Sequence, residues 1–147
     1  MQTTELTMTL DGTTFRGRVR RSTNETSSQR GSEIRPRERR AFDAKVAQSI
    51  FVHKLCGPEA FKFCRLFCAM SVETVAGLLQ VDSGAVQRWE NQESDTPAWA
   101  MLLVSKIGEE SSRGRTSTHT WLRQLADDTG RPKEIDVDTL RSATLDR

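Results

Sequence analysis

The stretch Phe61–Asn91, FKFCRLFCAMSVETVAGLLQVDSGAVQRWEN, decides how this chain is read. Within it Val72, Val75, Ala76 and Leu79 recur at i, i+3, i+4 and i+7, the spacing of a helix with one buried stripe. Ser71 suits the N-cap of that helix, and Glu73 puts a negative charge in its first turn, where the helix dipole favours it. Gln80, Val81 and Asp82 read as a tight turn, with Asp82 capping a second helix that begins at Ser83. In the second helix Val86 and Trp89 fall on one face, while Gly84, Gln87, Arg88 and Asn91 fall on the other. One face anchors such a helix and the other presents hydrogen-bonding groups. Arginine can fork onto guanine O6 and N7, and glutamine onto adenine N6 and N7, so the outer face suits readout in a DNA major groove. The competing reading is an all-helical packing unit whose exposed face happens to hold Gln and Arg.

Finer spacing favours the first reading. Ala76 is a small residue at the fifth position of the first helix, where the two helices must approach closely. Val81, Val86 and Trp89 stand where they pack the second helix down. The segment Val75–Glu90, V-A-G-L-L-Q-V-D-S-G-A-V-Q-R-W-E, resembles the helix-turn-helix of Xre- and Cro-type regulators, usually L-A-x-L-L-G-V-S-x-x-T-V-S-R-W-E. In those domains an arginine of the preceding helix commonly pairs with the acid of R-W-E. The resemblance therefore implies an Arg65–Glu90 pair that fixes the recognition helix without touching bases; otherwise Arg65 snorkels to solvent. It assigns base contact to Arg88, with Gln87 at an adjacent position that is usually serine, and Ser83 completes the face. Ser71 and Val72, at the N-terminus of the first helix, would offer backbone N–H groups to phosphate. Two departures stand out. Gln80 replaces the usual turn glycine, which implies positive φ at some cost. Gly84 occupies an outward recognition position, removing one side-chain contact or allowing closer backbone approach.

The 147 residues suffice for one domain, or a small domain with appendages. No apolar run approaches the roughly 20 residues needed to span a bilayer. The N-terminus, MQTTELTMTL, lacks the basic start and apolar core of a secretory signal, so a cytoplasmic, nucleoid-associated protein is expected. Zinc sites usually show paired C-x2-4-C knuckles, a pattern that Cys56, Cys64, Cys68 and His53 do not make. Cys64 and Cys68 lie one helical turn apart amid Phe61, Phe63, Leu66 and Phe67 and read as core thiols. No metal or cofactor is expected. The two histidines, His53 and His119, accompany no nucleophile elbow, phosphate-binding glycine loop or carboxylate cluster, so no catalytic residues are expected. The net charge of +2 is uneven: Thr13–Lys45 holds ten basic residues against four acids. A basic segment beside a helix-turn-helix fits phosphate contact; it also fits a solvated linker.

Leu6, Met8 and Leu10 alternate with polar residues, Phe15 and Val19 continue on one parity, and Asp11-Gly12 is a type I′ turn signal. A β-hairpin over 5–10 and 13–20 follows, and it must dock on a helix, extend a sheet or pair with a second copy. Residues 21–35 read as a polar linker. A helix is expected from Pro36 to Leu55, with Phe42, Val46, Ile50 and Val52 or His53 inward, and another from Pro58. Pro97 starts a further helix to about Ile107, in which Trp99 is core or dimer surface. Gly108–Thr120 reads as a polar connection, Trp121–Ala126 as one or two helical turns, and Lys133–Asp138 as a short strand beside the hairpin.

This order, with Glu59–Met70 reading E-A-F-K-F-C-R-L-F-C-A-M, also resembles the MqsA-like antitoxin-type regulators, which carry E-x-F-R-F-x-R-K-x-L-G-L before the DNA-binding domain. The similarity covers about residues 40–107. Members of that group hold zinc through two C-x-x-C pairs near the N-terminus; this chain has no cysteine before Cys56, so no zinc is expected. Together these readings imply a mainly α fold, an Xre/Cro-like helical DNA-binding domain with a small N-terminal β-hairpin. Its parts are a hairpin and basic linker (1–35), a helix-turn-helix domain (36–110) and a C-terminal extension (111–147). The implied function is a homodimeric repressor or autoregulator on double-stranded DNA. The alternative is an antitoxin or adaptor that binds a toxin or other protein through its N-terminal region.

Overall fold

Alternating apolar residues and the Asp11-Gly12 pair fold the N-terminus into an antiparallel hairpin of β1 (Thr3–Leu10) and β2 (Thr13–Arg20). Both turn residues have positive φ, +50° and +80°, as a two-residue type I′ connection requires. Met8 faces Phe15 across the strands and Leu6 faces Gly17, so one face of the ribbon is apolar and packs on the core. The hairpin docks on a helix: β2 runs against α1 (Pro36–Val52), and a Cβ at Gly17 would stand 2.9 Å from the Phe42 ring. The computed structural model describes residues 3–20, 35–127, 134 and 136–138. The linker proposed for 21–35 lies almost wholly outside them.

Five more helices follow: α2 (Pro58–Phe67), α3 (Val72–Leu79), α4 (Ser83–Glu90), α5 (Ala98–Ser112) and α6 (Ser117–Asp127). Among the described residues the fold is thus mainly helical, with one small N-terminal antiparallel hairpin. Phe61, Ile50, Val75, Val86 and Val104 are buried completely, where α1, α2 and α5 meet the α3–α4 pair. None of these helices is long and apolar enough to cross a membrane.

The hairpin tip also caps a helix. The Asp11 carboxylate accepts the N–H groups of Glu59 (3.1 Å) and Ala60 (2.8 Å), and the Asp11 N–H donates to Glu59 Oε1 (3.1 Å). This has the reciprocity of a capping box, built from residues far apart in sequence. A Cβ at Gly57 would collide with that carboxylate, so glycine makes the approach possible.

Three expectations need correction. First, α1 ends at Val52, and Val52 and His53 are exposed; the inward fourth position is Ala47. Lys54 turns to φ +52° and the Leu55 N–H returns to the Ile50 carbonyl (3.0 Å), so Leu55 reaches the core from a turn. Second, Gly108–Thr120 is not a polar connection. α5 continues to Ser112 with Gly108, Glu109 and Glu110 buried, and α6 starts at Ser117. Glu109 is held between Lys106 (3.2 Å) and Arg113 (2.6 Å). Burial raises its pKa, but the hydrogen bonds and charges of Arg113 and Lys106 outweigh that and leave the carboxyl below its ordinary range. Glu110 reaches onward to the start of α6, accepting the Thr118 N–H and hydroxyl, both at 2.8 Å. Third, Val137 and Asp138 form a 3-10 turn rather than a strand, and Val137 is exposed. The Asp138 N–H bonds the Asp136 side chain (3.0 Å), a local contact that competes with strand pairing. Lys133 and Ile135 lie outside the described residues.

Candidate nucleic-acid interface

α3 begins as its sequence requires: Ser71 Oγ accepts the Thr74 N–H at 3.1 Å. The N–H groups of Val72 and Glu73 precede any intrahelical acceptor, and both residues lie toward the surface. Val75, Ala76, Leu78 and Leu79 are buried, and Val72 is half-buried. α3 closes with Gln80 in the left-handed region at φ +54°, while the Val81 N–H returns to the Ala76 carbonyl (3.0 Å). Gln80 thus adopts the conformation that glycine would take without cost. Its side chain is exposed, which is why a non-glycine residue fits there.

α4 is pinned from beneath in three ways. Val86 is fully buried. Trp89 meets Phe61 edge-on at 5.8 Å between ring centroids and Trp99 likewise at 6.3 Å. Trp99 itself stays half-exposed, with one side against Trp89 and one in solvent. The third hold is ionic. Arg65 forks onto Glu90, Nε to Oε2 and Nη2 to Oε1, both at 2.8 Å, and its Nη1 donates to the Met70 carbonyl at 2.9 Å. Both side chains are less than a tenth exposed. Arg65 therefore does not snorkel. It ties α2 to the C-terminal end of α4 and to the turn before α3.

On the outer side Gln87, Arg88 and Asn91 are exposed, and Ser83 and Gly84 are half-buried. Asp82 occupies the N-cap of α4 without a side-chain hydrogen bond to it, contrary to its expected capping role. Its carboxylate leans over Gly84 instead: a Cβ there would lie 2.9 Å from Asp82 Oδ2 and 3.3 Å from Arg88 Nη1. Gly84 therefore leaves open the space between Asp82 and Arg88. Any side chain at this position would displace one of them.

The stretch of sequence that contains α4 is acidic. Between Ser71 and Pro97 the sequence holds Glu73, Asp82, Glu90, Glu93 and Asp95 against Arg88, and among the described residues only Glu90 of these acids is held in an ion pair. Bidentate hydrogen bonding is therefore within the capacity of α4, whereas neutralising several phosphates is not.

Cys64 and Cys68 sit beneath α5. Cys64 is buried, and burial, helped by neighbouring Cys68, pushes its thiol far above the ordinary range. Half-buried Cys68 is raised by burial too, against opposing effects of Ser111 and Arg40. Both are neutral thiols at physiological pH, and Cys56 is exposed away from them. Among the described residues no cluster of three or more His, Cys, Asp or Glu could hold a metal ion.

Sequence reading missed Asp11 and Glu110. The carboxylate in the D-G turn was visible, but its helical partner is set by tertiary docking and leaves no local pattern. Compared with protein-family models, with curated proteins and with solved structures, the chain matches none.

Proposed function

We propose that the chain is a sequence-specific DNA-binding regulator of the Xre/Cro helix-turn-helix type, with an arrangement like that of MqsA-type antitoxin regulators but without their zinc site. α4 is the recognition helix. The observation that supports this is its asymmetry: Val86, Trp89 and the Arg65–Glu90 fork hold one face rigidly, while Gln87, Arg88 and Asn91 project together from the other. Side chains read base edges only when their helix is fixed to within a fraction of an ångström, and this hold supplies that precision. As a homodimer, two such helices would enter major grooves about 34 Å apart or a multiple of it.

The test is selection from random duplexes, with a two-fold symmetric site as the expected product. Arg88→Ala should then lose selectivity at one base pair per half-site, roughly 1–3 kcal/mol. Unchanged selectivity in that variant removes Arg88 from the readout face.

One observation favours a second reading. The carboxylates of Glu73, Asp82, Glu93 and Asp95, which flank α4 in the sequence, suit a basic protein partner, as an antitoxin or adaptor would have. Selection that enriches no sequence, together with a stoichiometric complex with a basic protein, would favour it over DNA.

A further inference from the structure

Because the sequence flanking α4 is acidic, cations that would meet a DNA backbone have to be sought elsewhere, and the hairpin carries three exposed arginines. Along β2, Phe15, Gly17 and Val19 face inward, which turns Arg16, Arg18 and Arg20 to the opposite, solvent face. Their cross-strand neighbours there are Thr7, Glu5 and Thr3, and Thr9 and Thr14 continue the face toward the tip, their hydroxyls 3.0 Å apart. Among the described residues none of the three arginines takes part in a hydrogen bond or an ion pair, although Glu5 stands directly across from Arg18. The outer face is thus a row of free guanidinium groups about 6.7 Å apart, set among hydroxyls with a single carboxylate.

The row is held in place. The apolar face of the ribbon rests on Phe42 and the core, and the Asp11 clamp fastens its tip to the N-terminus of α2. That same helix carries Arg65, which holds α4. Ribbon and recognition helix are therefore fastened to one element.

We propose that this Arg16–Arg18–Arg20 face is a second DNA-contacting surface, which binds the phosphate backbone of the duplex without regard to sequence. The proposal rests on the DNA-binding reading above, because duplex DNA is the polyanion that α4 brings to the chain. Arginine and threonine are phosphate donors, and a regular row on a docked ribbon can engage successive phosphates without reordering long segments of chain. Its contribution is affinity; that of α4 is selectivity.

The experiment uses the full chain and a short random-sequence duplex titrated across a range of salt. Changing Arg16, Arg18 and Arg20 together to Gln should make the slope of log K against log salt shallower by about 2.7. Equivalently, between about 50 and 200 mM salt the wild type should lose roughly 40-fold more affinity than the variant. Changing the same three to Lys should restore the wild-type slope, since each lysine also releases a counterion. All three positions lie on an exposed face, and circular dichroism of both variants checks that the hairpin persists. A Gln variant whose slope stays within about one of wild type overturns the proposal. So does a wild type that fails to retain the random duplex but retains single-stranded RNA or an acidic protein. The two readings fail separately. A selected sequence that depends on Arg88 but shows no ribbon effect leaves α4 standing and removes the ribbon. A ribbon-dependent salt slope with no selected sequence does the reverse.

Discussion

α4 and β2 both display arginine, in opposite settings and with opposite kinds of support. On α4, Arg88 lies beside Asp82 across Gly84 in a stretch of chain that also holds Glu73, Glu93 and Asp95, and the helix is fixed by a buried, bidentate ion pair. On β2, three arginines stand free of carboxylate partners among the described residues, and the ribbon is fastened at its tip by an exposed clamp. On the proposed DNA-binding reading, the difference follows from how the two interactions depend on distance. A hydrogen bond to a base edge fails within a few tenths of an ångström or some tens of degrees, so a helix proposed to read bases would need a stiff mounting. Coulomb attraction to phosphate falls off gradually, so a charge row works on a looser one.

The largest effect should come from breaking the stiff mounting. Arg65→Ala leaves Glu90 buried without its partner and the Met70 carbonyl without its donor, and should cost about 3–5 kcal/mol in urea unfolding. Replacing both partners, with Arg65→Met and Glu90→Leu, should recover most of that loss, because a packed apolar pair avoids the stranded charge. If the double variant is no more stable than Arg65→Ala, the fork is not what holds α4. Next in size is Arg88→Ala, which should remove roughly 1–3 kcal/mol of specific binding while changing stability by no more than about 0.5 kcal/mol. Comparing its unfolding midpoint with its operator affinity separates the two faces of α4.

Breaking the looser mounting should cost less. Asp11→Asn keeps a residue that tolerates positive φ but removes one of the two carboxylate acceptors, for a loss of about 1 kcal/mol. Amide exchange should then speed up in β1 and β2 and leave α3 and α4 protected. Equal acceleration in all four would mean that the clamp supports the whole core.

How much of this was legible in sequence depended on whether the cause was local. The α3–turn–α4 segment could be read because its apolar periods, its Ser71 cap and its turn lie within a few residues of one another. The hairpin was legible for the same reason, through alternation about Asp11-Gly12. The polar run after Ile107 misled, because Glu109 and Glu110 are buried only by virtue of Lys106, Arg113 and the start of α6. Glutamates in a helix pattern look solvent-facing until their partners are known. Arg65–Glu90 came from resemblance, since nothing in spacing alone links residues in two different helices. The arginine row was present as alternation in β2, but which face would be free depended on Gly17 packing against Phe42.

The smallest expected effect concerns the turn that aims α4. Gln80 is held at φ +54°, where a Cβ costs about 1 kcal/mol or more relative to the right-handed region. Gln80→Gly removes that strain but adds backbone entropy to the unfolded chain, so the net gain should be below about 1 kcal/mol, a few degrees in melting temperature. The sign matters more than the size. Turn strain is independent of the buried fork, so the gain should persist in the Arg65→Met, Glu90→Leu background. If the gain disappears there, the turn and the fork are coupled, and α4 is aimed by both together rather than by the ion pair alone.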